Sequence, residues 1–225
     1  MQRTLSKALP VVLLAGVALG GEVLAQNREK AWEVTPYLGS IRYGGASSID
    51  DVPQVNDTTT FELEDDLSFG FRFGYHYTKR HMIEFGFGGT GTRGDLVAVV
   101  NCSTGCQSRT GNFKADVLTG RANYVFNFFL HRRDKVVAFV TGGIGVINFS
   151  TFGSASDPEV QAALERLVGD ENHLLLNYGG GIRFFGSEKV GVRLDARQVH
   201  YDTTDRGREN HIEISLGVTL ILGGV

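Results

Sequence analysis

The chain has 225 residues and a formal net charge of −3, with no polybasic stretch, which argues against a nucleic-acid partner and suits one domain of ordinary to generous size. Its 30 glycines, 15 phenylalanines and 7 tyrosines, against 4 prolines, favour many short strands over long helices. Mean hydropathy is close to neutral, a value shared by water-soluble chains and by membrane barrels whose strands are only half apolar.

The N-terminus has the parts of an export signal. Arg3 and Lys7 supply a positive start, residues 8–20 form an apolar segment, and Val23-Leu24-Ala25 places a small residue before Gln26. Residues 1–25 are therefore expected to be removed, leaving 26–225 as a single domain. The apolar run is too short to cross about 30 Å of hydrocarbon, and no basic stop-transfer cluster follows it. No other stretch reaches about 18 apolar residues, so no transmembrane helix is predicted.

Beyond the signal, apolar residues recur at every second position. In 31–43, Trp32, Val34 and Leu38 stand against Glu33, Thr35 and Gly39. The clearest case is 67–79, LSFGFRFGYHYTK, where Leu67, Phe69, Phe71, Phe73, Tyr75 and Tyr77 alternate with Ser68, Gly70, Arg72, Gly74, His76 and Thr78. In 83–90, Ile83, Phe85 and Phe87 alternate with Glu84, Gly86 and Gly88. A fourth segment, 113–128, sets Leu118, Ala122, Tyr124 and Phe126 opposite Thr119, Arg121 and Asn123. The fifth, 136–147, is apolar on both faces, so its orientation stays open. Segments 174–184, 190–197 and 212–222 resume the pattern, with Arg183, then Arg193, Asp195 and Arg197, then Glu213 on the polar side. Period two marks strands with one apolar face, and eight of them is the even count that a closed antiparallel barrel requires.

The connections alternate in length. Residues 78–81, 129–135 and 186–189 are short links, those near 44–65, 93–111 and 149–172 are long, and 202–209 is intermediate. All short turns then fall at one end of the barrel, the pattern of membrane barrels with short periplasmic turns and extended outer loops. Within the third long loop, Asp157 and Pro158 followed by Val160, Ala163, Leu164 and Leu167 predict a short helix on the rim. The second holds Cys102-Ser-Thr-Gly-Cys106. Cys-x₃-Cys lacks the four ligands zinc takes, and an exported chain meets an oxidising compartment, so a disulfide between Cys102 and Cys106 is expected, with no metal and no cofactor. The first gathers Asp50, Asp51, Asp57, Glu62, Glu64, Asp65 and Asp66, read as a solvated acidic loop.

Period two alone does not say which face is inside, since a soluble lipocalin-like barrel alternates in the same way. Two features turn the apolar face outward. The polar faces are rich in glycine and in Arg72, Arg121, Arg183, Arg193 and Arg197, whereas Lys79, Lys135 and Lys189 sit in turns. A narrow lumen takes glycine beside a few paired charges, while a wet exterior uses lysine and glutamate freely. The aromatic rows also end in Tyr75, Tyr77, Tyr124 and Phe126 beside the short turns, where an interfacial girdle belongs. By the same parity Glu33, Glu84, Asp195 and Glu213 point inward with the five arginines. Buried charges must pair, and eight strands leave an interior just wide enough for side chains. A plugged lumen is expected, not a gate or an ion path.

The stretches WEVTPYLG at 32–39, FGFRFGY at 69–75, GGIGV at 142–146, VGVRLDAR at 190–197 and the closing ISLGVTLILGG carry a resemblance. Over essentially all of the mature chain, the sequence resembles the small eight-stranded outer-membrane β-barrel proteins, the group of the OmpA-type transmembrane domain. It departs from that group at Leu222-Gly223-Gly224-Val225, where members end on an aromatic residue. The resemblance implies an all-β transmembrane barrel in the bacterial outer membrane. It further implies a monomer inserted by the barrel-assembly machinery among outer-membrane lipid and lipopolysaccharide, with a structural, adhesive or surface-interaction role. The alternatives are a lipid A-modifying enzyme and a small-solute or ligand-binding barrel. The enzyme alternative would use His200-Tyr201-Asp202, with Glu209 or Glu213 as orienting carboxylate. The deacylase pattern wants His-x-Ser, and here Asp202 takes the serine position with only Thr203 and Thr204 beyond, so no catalytic residue is expected.

Overall fold

The structure is a computed structural model that describes residues 29–43, 47–49, 59–63, 66–100, 107–129, 135–152, 171–203 and 207–223. Ten strands occupy them: β1 (Ala31–Tyr43), β2 (Ser47–Ile49), β3 (Thr59–Leu63), β4 (Asp66–His76), β5 (His81–Val100), β6 (Gln107–Phe129), β7 (Val136–Phe152), β8 (Glu171–Phe185), β9 (Val190–Thr203) and β10 (Gly207–Gly223). Eight of these close into an antiparallel ring, in which β1 pairs β4 on one side and β10 on the other, and β5 pairs β6. The two short ones extend the first hairpin: β2 pairs β3, and β3 pairs the far half of β5 with Thr60 opposite Val97. Among the described residues there is no helix.

Alternation sets the register, because a slip of one residue would carry every apolar side chain to the wrong face. In β4 the outward row is Leu67, Phe69, Phe71 and Phe73, and the inward row is Ser68, Arg72 and His76. The orientation that the sequence leaves open in β7 is decided by its two neighbours. Val137, Phe139, Thr141, Ile147 and Phe149 point inward; Val140, Ile144 and Val146 point outward. The outer surface is apolar around the whole circumference, with Phe69, Phe87 and Leu216 each more than half exposed. Water does not tolerate a patch of that extent on a monomer, whereas hydrocarbon does.

The short links 77–80 and 186–189 share one device. Thr78 Oγ1 accepts hydrogen bonds from the backbone N–H of Arg80 and His81, and Ser187 Oγ does the same for Lys189 and Val190. At the opposite end the strands run further than period two predicts. The expected loop 93–111 is largely strand, since β5 reaches Val100 and β6 starts at Gln107, and the expected 202–209 link shrinks to residues 204–206. Past the apolar belt no medium enforces alternation, yet the backbone ladder continues. Cys102, Cys106, residues 1–25, the helix expected at 157–167 and most of the acidic loop lie outside the described residues.

Close strand approach depends on inward glycines. A Cβ on Gly181 would stand 2.1 Å from the Leu194 carbonyl oxygen and 2.7 Å from the Phe139 ring, so only glycine fits between β9 and that aromatic plate.

Candidate functional site in the barrel lumen

The lumen is filled in three layers. At the short-turn end two apolar clusters close it, one of Ala31, Val137, Phe185 and Ile221, the other of Met82, Val125 and Phe139. At the long-hairpin end Val117, Ile147, Phe149, Leu175, Val199 and Tyr201 form a third cluster, edged by the rings of His173 and His211. Between them lie the charges. Glu33 on β1, Arg72 on β4, Glu84 on β5, Arg121 on β6, Arg183 on β8, Arg193, Asp195 and Arg197 on β9, and Glu213 on β10 are all buried. The strands place them by parity, since residues two apart on one strand share a face.

These nine side chains form one connected network. Arg193 reaches Glu84 at 2.5 Å, Asp195 at 2.7 Å and Glu33 at 3.4 Å. Arg197 holds Glu84 at 2.7 Å and Asp195 at 2.8 Å. Arg183 donates to Glu33 at 3.0 Å and to Asn127 Oδ1 at 2.7 Å. Glu213 receives Arg72 at 3.1 Å and Arg121 at 2.7 Å, and Arg72 also donates to Ser215 Oγ at 2.8 Å. His76 Nε2 lies 2.9 Å from Glu33 Oε2. With so many partners per ion, each carboxylate recovers much of the hydration it lost on burial.

Aromatic faces supply the remaining support. Phe139 on β7 lies 4.3 Å from the Arg183 guanidinium carbon and 4.4 Å from that of Arg193, while Tyr37 lies 3.9 Å from that of Arg72. Alternation of apolar and polar types does not flag Tyr37 and Phe139, because both are aromatic yet point inward. Parity does flag Tyr37, four residues from Glu33 on one strand, and likewise Asn127, six from Arg121; for Phe139 the orientation comes only from the ladder of β7 with its neighbours.

Outside the barrel, the short-turn end carries an aromatic girdle. Trp32 and Tyr75 lie 4.9 Å apart, His81 packs 5.2 Å from Phe126, and a ring nitrogen of His81 hydrogen-bonds Tyr124 Oη. At the other end, the β8–β9 ladder stops at Leu175 opposite Tyr201. A cavity of about 500 Å³ opens there, lined by Leu174, Leu176, Tyr178, His200, Asp202 and Arg208 among others.

The candidate catalytic set is not assembled. His200 faces outward with its ring 5.5 Å from that of Tyr178, whose hydroxyl lies 3.2 Å from Nε2. Asp202 pairs with Arg208 at 3.3 Å, both largely exposed. Glu213 is in the lumen on Arg72 and Arg121. His200 stands opposite Asn210, so Glu209, the next residue, belongs to the other face of β10. Among the described residues, no three or more His, Cys, Asp or Glu side chains are grouped as metal ligands.

A sequence model of the family described as outer membrane protein beta-barrel domain matches residues 11–219. Among solved structures, the chain is similar to the outer membrane protein OprG from Pseudomonas aeruginosa, with a TM-score of 0.63 at 9% identity, covering 90% of this chain and 100% of that one. Neisserial surface protein A (NspA) gives a TM-score of 0.52 at 12% identity, covering 85% of this chain and 97% of the other. The outer membrane protein AlkL, solved in DMPC lipid bilayers, gives 0.51 at 12% identity, with 91% and 95% covered. At such identities the likeness is one of fold. No curated protein matches the chain by sequence.

Proposed function

This chain belongs to the outer membrane protein β-barrel domain family, and on that premise we propose that it works through its outer surface, as a structural, adhesive or surface-interaction barrel with a plugged lumen. It is a bacterial outer-membrane protein, and on this reading its short turns lie on the periplasmic side and its long hairpins outside. The observation that carries the proposal is the layered filling of the lumen. An ion entering from either end meets buried apolar side chains first and then a network whose charges are already engaged. Eight strands leave little more room than side chains need. On this reading the barrel is a monomer, inserted by the barrel-assembly machinery and contacted by outer-membrane lipid and lipopolysaccharide.

Two measurements test it. In planar bilayers the purified protein should give no steady conductance, and a lasting open current would replace the plug with a pore. Deleting residues 153–170 or 101–106 should abolish attachment to a surface or partner while leaving heat-modifiable gel mobility intact. Unchanged attachment would remove the adhesive role.

One observation supports a second reading, a barrel that holds a small apolar ligand. The concavity at the β8–β9 rim is of ligand size and is open on the outer face, where it is bordered by Leu174, Leu176 and Tyr178. Leu176→Glu should then abolish binding of a fluorescent fatty acid; equal binding by the variant removes this reading. Catalysis has less support, because His200 bonds to Tyr178 and, among the described residues, no carboxylate bonds to it. Release of acyl chains from labelled lipid A by the purified protein would overturn the non-catalytic reading.

A further inference from the structure

The lumen charges divide unevenly. Glu33, Glu84 and Asp195 are the carboxylates that hold Arg183, Arg193 and Arg197, three against three. Nearer the outer end, Glu213 serves both Arg72 and Arg121, and the other carboxylate near Arg72 is Asp195, at 4.0 Å. Among the buried lumen side chains described, five guanidinium groups therefore face four carboxylates, with Asp66 and Glu209 half-buried on the same faces of their strands toward the outer rim, and the surplus positive charge lies beside Glu213. A buried charge without a counter-charge is strongly unfavourable in a medium of low dielectric.

A cavity of about 10 Å³ opens at that same corner, between the charge network and the outer apolar cluster. Its walls include Tyr37, Ser68, Thr119, Arg121, His211 and Glu213. Among the described residues, Arg121 Nε, Ser68 Oγ and both ring nitrogens of His211 have no hydrogen-bond partner, although Arg121 is 7%, Ser68 2% and His211 1% exposed. All three side chains donate: the guanidinium always, the hydroxyl by rotation, and the imidazole from one nitrogen in either tautomer. The carboxylate oxygens of Glu213 are already engaged, Oε1 by Arg72 and Oε2 by Arg121.

Charge and donor set point the same way. The space is about that of one water, which excludes a polyatomic anion such as phosphate, sulfate or a carboxylate, and a halide, a few tenths of an ångström larger in radius than water, is seated when the side-chain walls give by that much. Water would satisfy donors but leave the excess charge in place. We infer that this pocket binds a single monatomic anion of the halide class, held by Arg121, Ser68 and His211 and neutralising the surplus guanidinium charge of the lumen. Chloride is the halide that the surrounding medium supplies. The site does not depend on what the outer hairpins bind.

The test uses the full mature chain folded in lipid or detergent, with bromide and chloride as probes. Crystals grown in bromide should show an anomalous peak within hydrogen-bonding reach of Arg121 Nε, Ser68 Oγ and His211. The thermal unfolding midpoint should rise with chloride, and not with gluconate at the same ionic strength, because a ligand of the folded state stabilises by mass action. Arg121→Met leaves Glu213 with Arg72 and a balanced lumen, so this variant should fold and lose the chloride response. Ser68→Ala keeps the charge but removes one donor, and should weaken chloride at least tenfold. A map without a bromide peak in this pocket would overturn the inference and leave water as the occupant. So would a chloride response of equal size in wild type and Arg121→Met, which would mark surface screening.

Discussion

Asp195 accepts more hydrogen bonds from arginine than any single pairing would require. Arg193 donates from Nε at 3.1 Å and Nη2 at 2.7 Å, and Arg197 from Nε at 2.8 Å and Nη2 at 3.1 Å. In Asp195→Ala, Arg197 keeps Glu84, Arg193 keeps Glu84 and Glu33, and among the buried charges described five arginines face three carboxylates. Breaking a buried pair by removing one partner costs about 3–5 kcal/mol. The adjacent Leu194 is the natural comparison, since it lies on the opposite face and is 47% exposed toward lipid. A packed-core Leu→Ala loses about 2–5 kcal/mol, part of it for the cavity left behind. Lipid tails are as apolar as leucine and flow into the gap, so Leu194→Ala should lose only about 1 kcal/mol or less. Urea unfolding in lipid vesicles separates the two, with the single tryptophan, Trp32, as a fluorescence reporter on the outer face. With a denaturant slope of roughly 1–3 kcal/mol per molar, Asp195→Ala should lower the midpoint by at least about 1 M. Asp195→Asn, which keeps one acceptor oxygen and loses the charge, should fall between. Equal midpoints for Asp195→Ala and Leu194→Ala, or a reversed order, would refute the reasoning, because the charges would then not be held in a water-excluded lumen.

Gly181→Ala should prevent formation of the heat-modifiable barrel on refolding into vesicles, because the added methyl meets the Leu194 carbonyl at 2.1 Å and neither strand can retreat. Gly86→Ala, whose nearest contact is 3.9 Å away at Arg72, should instead fold and gain up to about 1 kcal/mol in the same urea assay. Cys102 and Cys106 should resist alkylation until a reductant is added, and their loss should change stability little, because so short a loop gives a small entropic gain. Alkylation at both sites without reductant would exclude the bond. Intact mass of protein taken from the envelope should correspond to a chain starting at Gln26; retention of residues 1–25 would show that the signal is not cut.

The two faces of the barrel follow from the sequence because period two is a local property. Each strand carries its own record of apolar and polar sides, so Phe69, Phe71 and Phe73 could be assigned to lipid and Arg72, Glu84, Arg193 and Asp195 to the lumen without knowing any neighbour. The same locality explains where the reading stops. β7 is apolar on both sides, and only its ladder with β6 and β8 turns Phe139 inward beneath two arginines. Past the apolar belt, alternation loses its cause, so nothing in the sequence marks the outer extensions of β5, β6 and β10 as strand, or His211, one residue before the expected start of the last strand, as facing the lumen. Partner choice in the lumen is non-local in the plainest sense. Which carboxylate meets Arg72 or Arg193 depends on the stagger with which eight strands close, and that stagger brings Glu213 to Arg72 across 141 positions of sequence and Glu84 to Arg193 across 109. It also leaves one guanidinium in excess at a small cavity lined by Ser68, Arg121 and His211, a grouping of three strands that no single stretch of sequence contains.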